Sequence, residues 1–191
     1  MKPVLLYRRS LDIRSGAGQL IRMQANGLKQ AGVPVRIACQ RGALKYFLRT
    51  GWPVKTLKRS GLGLLNNLTD HIVVDHEMHI PDANLLFVHS LETVLYQDHD
   101  DWAEGAAREA AFFKKLAPTT TIVANSKLTK AALIEYFELD AQRIRVHYPG
   151  YQSAKFGVAN QAALRLRARG LLKVDERTPL VGLLTSGDFR T

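Results

Sequence analysis

Acidic side chains are missing from most of the first third of this sequence. No Asp or Glu occurs between Ile13 and Thr69, a stretch that holds ten Lys and Arg. Residues 1–69 carry 13 basic and one acidic side chain, whereas residues 70–191 carry 14 and 16, so the net charge of +10 belongs to the N-terminal third. A field this one-sided suits a polyanionic partner: nucleic acid, an anionic membrane surface or a phosphorylated substrate. It equally describes a solvated basic surface. Aromatics in the stretch are few (Tyr46, Phe47, Trp52) and no nucleic-acid-binding motif is present, so the reading expects no nucleic-acid partner and ranks membrane and phosphate above it.

Cysteine is nearly absent. Cys39 stands alone, which excludes an intrachain disulfide framework and fits a reducing cytoplasm. Within the apolar run Val35–Cys39 it reads as core filler rather than nucleophile. Long hydrophobic runs are absent too, none approaching the roughly 18–20 residues of a membrane-spanning helix. The opening segment Met1–Tyr7 meets Arg8 and Arg9 too soon for a signal peptide and reads as a first strand.

What is present alternates between strand and helix. Apolar strands are expected at Val4–Tyr7, Val35–Cys39, Val54–Leu57, His71–Asp75, Leu85–His89, Thr121–Ala124, Arg143–Tyr148 and Leu180–Leu184. Helices are expected at Gln19–Ala31 (apolar at Leu20, Met23, Gly27, Leu28 and Ala31), Ala43–Arg49, Trp102–Leu116 (Ala106, Ala110, Phe113), Lys127–Phe137 (Leu128, Ala131, Ala132, Ile134) and Gln161–Leu171. Gly61–Asn67 reads as a loop or a short helix start. This order implies an α/β fold, a Rossmann-like parallel sheet with helices on both faces.

Between the first strand and the first helix, Arg8–Gln19 reads as a loop of about eleven residues containing Gly16 and Gly18. Glycines there let backbone N–H groups approach a phosphate or sugar at a helix N-terminus. Position 21 is Ile, so the dinucleotide fingerprint Gly-x-Gly-x-x-Gly fails, and no Gly-Lys-Ser/Thr completes a P-loop. Arg41, Lys45 and Arg49 recur at i, i+4, i+8 beside Leu44, Phe47 and Leu48, giving a basic and apolar surface suited to anionic lipid.

Two constellations tempt toward metal. His71, Asp75, His76, Glu77 and His79 cluster, yet His76-Glu-Met-His79 is one residue short of the zinc-protease spacing. Asp98-His99-Asp100 has an Asp-x-Asp form but reads as an acidic helix start. No metal site is therefore expected. His89 ends an apolar strand, so the sheet delivers its imidazole to the ligand-binding edge, where it suits hydrogen bonding or proton traffic with a sugar hydroxyl.

The stretch Thr121-Ile-Val-Ala-Asn-Ser-Lys127, the helix after it, and Arg143-Ile-Arg-Val-His-Tyr-Pro-Gly150 resemble glycosyltransferase family 4 of the GT-B fold, near the lipopolysaccharide-core glucosyltransferases. Phe156, the Arg-rich helix with Arg165, Arg167 and Arg169, and Ser186-Gly-Asp-Phe189 fit the same pattern. The resemblance implies an N-terminal acceptor-binding domain over residues 1–155. Residues 156–191 would then be a linker and the first strand of a truncated donor-binding domain. It implies sugar transfer with retention from a nucleotide-sugar to a glycan, lipid-linked or phosphorylated acceptor, without a metal or other cofactor, in cell-envelope polysaccharide or lipopolysaccharide synthesis. The enzyme would be cytoplasmic and peripheral on the inner leaflet, and the fragment alone inactive. It places Ser15, Gly16 and Gly18, with Asn125, Ser126 and Lys127, as substrate- or phosphate-binding residues. His89 becomes the catalytic candidate, and Arg41, Lys45 and Arg49 face the membrane. A non-catalytic sugar- or phosphate-binding module is the alternative.

Overall fold

A computed structural model describes residues 1–57, 70–95, 102–150 and 161–180. Gly61–Asn67, Asp98-His99-Asp100, Phe156, Ser186–Phe189 and all but the first residue of Leu180–Leu184 lie outside them. The chain divides into two compact units, Met1–Pro149 and Gly150–Thr191.

The first unit is built on β1 (Val4–Ser10), α1 (Gly16–Gln30), β2 (Val35–Arg41), α2 (Ala43–Thr50), β3 (Val54–Thr56), β4 (Ile72–Asp75), β5 (Leu85–Val88), α3 (Glu92–Leu95), α4 (Trp102–Phe113), β6 (Thr121–Ala124), α5 (Lys127–Phe137) and β7 (Ile144–Val146). The seven strands form one sheet in the order β3-β2-β1-β4-β5-β6-β7, and every pairing is parallel. The order reverses between β1 and β4. Strands leaving in opposite directions across the sheet open a crevice at their C-terminal ends, the usual ligand position in such folds.

Alternation along β1 shows why the sheet is covered twice. Leu6 joins Ile21, Ala25, Ile37 and Tyr46 on one face, while Leu5 and Tyr7 join Ala38, Val73 and Ile80 on the other. Farther along, Leu86, Ile122 and Ile144 bury against Phe113, Ala132 and Leu133. Each Leu, Ile, Val and Phe among them contributes roughly 1.5–3 kcal/mol when fully removed from water. Cys39 lies in the first of these cores at 0% exposure, and burial pushes its thiol up to about 11.

Several faces differ from those the periodicity gave. In α1 the buried stripe is Gly18, Ile21 and Ala25, whereas Gly27 and Ala31 are exposed. In α5 Ala132 and Leu133 are buried, with Leu128 and Ile134 outside. In α4 the inward residues are Gly105, Glu109 and Phe113.

The glycine loop is also shorter than its composition suggested. β1 continues through Arg8 and Ser10, paired with Cys39 and Arg41, and α1 begins at Gly16. Gly16 and Gly18 are therefore in the first helical turn, not in a long loop. Ser15 caps that helix by accepting from Gly18 N–H at 3.0 Å. A Cβ on Gly18 would stand 1.9 Å from the Asp12 carbonyl oxygen, while one on Gly16 would meet nothing within 4 Å.

The second unit holds α6 (Gln161–Leu172). Its Arg169 is buried and donates to the carbonyls of Asp175 and Thr178. The Asp175 carboxylate accepts from the N–H groups of Arg177 and Thr178.

Gly18→Ala is expected to cost roughly 1–3 kcal/mol through overpacking, and Gly16→Ala to stay within about 0.5 kcal/mol of wild type. Urea unfolding of the two variants separates these outcomes.

Candidate functional site

The C-terminal ends of β1, β4 and β5 border a cavity of about 490 Å³. β1 sends Arg8 and Arg9 to it, the turn after β4 sends His76 to His79, and β5 and its continuation send Phe87, His89 and Ser90. Glu92, Gly105, Arg108, Glu109 and Phe112 form the wall built from α3 and α4.

Asp75 organises the turn after β4. Its side chain is fully buried and accepts from Glu77 N–H at 2.9 Å, His79 N–H at 2.6 Å and Ile80 N–H at 2.7 Å. Burial raises the carboxyl above the usual range, and the three amides pull the other way. These bonds hold Met78 at φ 53°, a left-handed conformation that costs a residue with a Cβ about 1–2 kcal/mol.

That turn lays His76 beside the β5 strand. Asp75 is in register with Leu86, so His76 comes opposite Phe87 and stacks on it at 4.9 Å between centroids. His89 lies two residues beyond Phe87, on the same side of the pleat. The two imidazoles lie edge to edge and nearly parallel, with centroids 5.3 Å apart and His76 Nδ1 and His89 Nε2 separated by 3.1 Å. Burial first, then His89 and Arg8, pushes His76 down to about 3; burial and then Arg8 pushes His89 down to about 4. Both rings are neutral at neutral pH.

Charges ring this pair. Arg8 donates from Nη1 to Ser15 Oγ at 3.0 Å, and its Nε stands 3.6 Å from Glu77 Oε2. On the opposite wall, buried Glu109 accepts from Glu92 N–H, Thr93 N–H and Thr93 Oγ1. Arg108 pairs with Glu92 at 2.9 Å and Glu104 at 2.7 Å. Gly105 leaves room for that carboxylate, because a Cβ there would fall 2.0 Å from Glu92 Oε2.

The other sequence candidates are arranged differently. Asn125 Nδ2 donates to the His89 carbonyl at 2.6 Å, and its Oδ1 accepts from Thr129 Oγ1 at 2.6 Å. It thus braces the strand end that carries His89. Ser126 caps α5 by accepting from Thr129 N–H at 3.0 Å, and Lys127 opens that helix in an exposed position. Ser15, Gly16, Gly18, Asn125, Ser126 and Lys127 do not line the cavity.

Arg41 is the last residue of β2 rather than part of the basic helix. Gly42, at φ 87°, separates it from α2, so the i, i+4, i+8 stripe is broken at its first member. Lys45 and Arg49 remain on α2 and exposed, beside Leu44 at 71%, Phe47 at 45% and Leu48 at 73% exposure. Tyr46 anchors the helix from below, its hydroxyl donating to the Gly18 carbonyl at 3.0 Å.

Among the described residues no group of three or more His, Cys, Asp or Glu is placed to hold a metal. Within the His71–His79 constellation Asp75 is spent on amides and His76 on His89. Among the described residues no helix is long and apolar enough to cross a membrane.

Sequence reasoning overlooked the partnership of His76 with His89, and the wall made by Glu92, Arg108 and Glu109. One signal was available for the wall: Gly105, Glu109 and Phe113 fall at i, i+4, i+8, which puts a carboxylate on the core face of α4.

The depressed histidines make stability depend on pH with a definite sign. The unfolded chain takes up protons near pH 6.5, and the folded chain does not until about 3–4. The stabilising contribution is complete above about 6.5 and falls as pH drops toward 4, by up to about 1.4 kcal/mol per pH unit for each ring. Urea unfolding between pH 7 and 4.5 should show a steeper loss for wild type than for the His76→Gln, His89→Gln double variant.

No protein-family profile matches the sequence, and no curated protein matches it either. Solved structures do match. WaaG, a glycosyltransferase involved in lipopolysaccharide biosynthesis, aligns over 92% of this chain and 52% of its own, at 15% identity and TM-score 0.60. HepE of Anabaena, solved with UDP-glucose, aligns over 91% of this chain and 50% of its own, at 12% identity and TM-score 0.65. A glycosyltransferase from Rickettsia africae aligns over 93% and 51%, at 16% identity and TM-score 0.63. The chain spans about half the length of these structures. Its fold is the α/β, Rossmann-like fold of one half of a GT-B glycosyltransferase.

Proposed function

We propose that this chain is the acceptor-binding half, residues 1–155, of a GT-B glycosyltransferase of family 4, with residues 156–191 leading into a donor-binding half. The reaction is transfer of a sugar, with retention, from a nucleotide-sugar to a glycan, lipid-linked or phosphorylated acceptor of the cell envelope. The observation that carries this reading is the cavity at the strand-order reversal, where His89 and cationic Arg8 and Arg9 converge. The fold supports it, as does the binding of UDP-glucose by a protein of similar structure. The Asn-Ser helix start and the Arg-Ile-x-Val-x-x-Pro-Gly segment support the family.

Neutral His89 can bond a sugar or phosphate oxygen, while Arg8 and Arg9 draw an anionic acceptor. Ser15, bonded to Arg8, binds substrate or phosphate together with Gly16 and Gly18 at the start of α1, as do Asn125, Ser126 and Lys127 where β6 meets α5. No metal or other cofactor enters the reaction. The protein works in the cytoplasm, held on the inner leaflet by Lys45 and Arg49 with Leu44, Phe47 and Leu48, and Arg41 adds charge beside them. Nucleic acid is not a partner.

Two measurements test this. The protein, assayed with its donor-binding half, should release nucleotide from one of a panel of UDP-, GDP- or ADP-sugars when given cell-envelope glycan. EDTA should leave the rate unchanged, and His89→Ala should lower it roughly 10²–10³-fold, the usual effect of losing one oriented polar group. Binding of sugar or phosphate with no turnover on any donor would instead favour a non-catalytic module. In flotation, vesicles containing phosphatidylglycerol should carry the chain and neutral vesicles should not. A Lys45→Glu, Arg49→Glu variant should lose the difference, and equal recovery on both lipids by wild type rejects the membrane assignment.

A further inference from the structure

His76 Nδ1 and His89 Nε2 lie 3.1 Å apart, so one ring donates and the other accepts. A neutral imidazole carries a single proton, and the placement of one ring's proton fixes the other's. The remaining nitrogen of His76 decides between the two arrangements. Its Nε2 is buried and has no hydrogen-bond partner among the described residues.

A proton on Nε2 would bury an N–H with no acceptor, which native structures rarely tolerate. It would do so in the field of Arg8, whose charge acts on both rings and repels the positive end of an N–H. A proton on Nδ1 leaves only a lone pair at the buried position, and a nearby cation favours that. His76 Nδ1–H is then the donor and His89 Nε2 the acceptor, which puts the one proton of His89 on Nδ1.

The rest of the structure holds this geometry from several sides. Asp75 fixes the turn that carries His76. Phe87 supports the His76 ring from below. Asn125 ties the His89 carbonyl to the start of α5. Among the described residues none hydrogen-bonds His89 Nδ1, and the ring lines the cavity.

We propose that His76 is a positioning residue that locks His89 in its Nδ1–H tautomer, so that His89 meets a ligand as a hydrogen-bond donor to a sugar or phosphate oxygen and not as a base. The donor role rests on the glycosyltransferase reading, whereas the tautomer does not. Neither nitrogen of His89 offers a free lone pair: one accepts from His76 and the other bears the proton.

Long-range ¹H–¹⁵N correlation spectra of the labelled chain at pH 7 test the lock directly, with His89 assigned by its disappearance in His89→Gln. The proton is expected on Nδ1, and a proton on Nε2 overturns the proposal. His76→Phe keeps a ring against Phe87 but removes the donor. His89 should then shift wholly or partly to Nε2–H, and an unchanged Nδ1–H spectrum removes His76 from the positioning role. Should that variant fail to fold, the wild-type spectrum still decides the tautomer. The donor role is read from transfer rates in the protein with its donor-binding half. Asn at position 89 can offer an amide N–H near the place of Nδ1, so His89→Asn should retain at least roughly tenfold more rate than His89→Ala. Equal losses overturn the donor role. Absence of transfer by wild type counts against the enzyme reading alone, because the spectra judge the tautomer independently.

Discussion

Asp75 ends β4 with its carboxylate out of water, and three backbone N–H groups of the following turn converge on it. A buried acceptor of this kind is costly when unpaired and strongly orienting when paired. It bends the chain back within five residues, holds Met78 in a left-handed conformation, and lays His76 across the end of β5. Without it the turn has no reason to hold that shape, and the two histidines no reason to face each other. The site is therefore built outward from a group that itself takes no part in lining the cavity.

Charge and neutrality divide the cavity between them. The N-terminal third is strongly basic, yet at the cavity Arg8 is balanced by Glu77 and Arg108 by Glu92 and Glu104. At the centre the histidine pair is kept uncharged by burial and by Arg8. In the donor role proposed for His89, an uncharged group among fixed charges would discriminate by direction rather than by attraction. Arg9 also borders the cavity, and further positive charge lies on the outer surface at α2, beside exposed Leu44, Phe47 and Leu48.

Apart from the short helix α3, which was not foreseen, the order and type of the described elements were legible because apolar runs and turn residues are local signals. The glycine loop was overestimated because Arg8, Arg9 and Ser10 do not look like strand, although their backbone continues the ladder with β2. The faces of α1 and α5 were misjudged for a packing reason. Gly18 lets the first turn of α1 close on Asp12, and this rotates Ile21 and Ala25 inward in place of Gly27 and Ala31. In α5, apolar residues occupy both sides, so periodicity could not choose between Leu128 and Leu133. His89 was visible as a histidine at a strand end. His76 was not, because its pairing with a residue thirteen positions away is created by the register of β4 on β5.

Cys39, described above only as part of the core, gives the molecule a reporter of its own opening. It is the chain's single thiol, it lies at 0% exposure on the strand that pairs β1 on one side and β3 on the other, and burial holds it in the unreactive thiol form. Its side chain shares a core with Ile21 and Ala25 of α1 and Tyr46 of α2, so a thiol reagent reaches it when those helices lift from the sheet face. The rate at which one label is incorporated is thus a clock for the lifting of α1 and α2 from the sheet that bears the cavity.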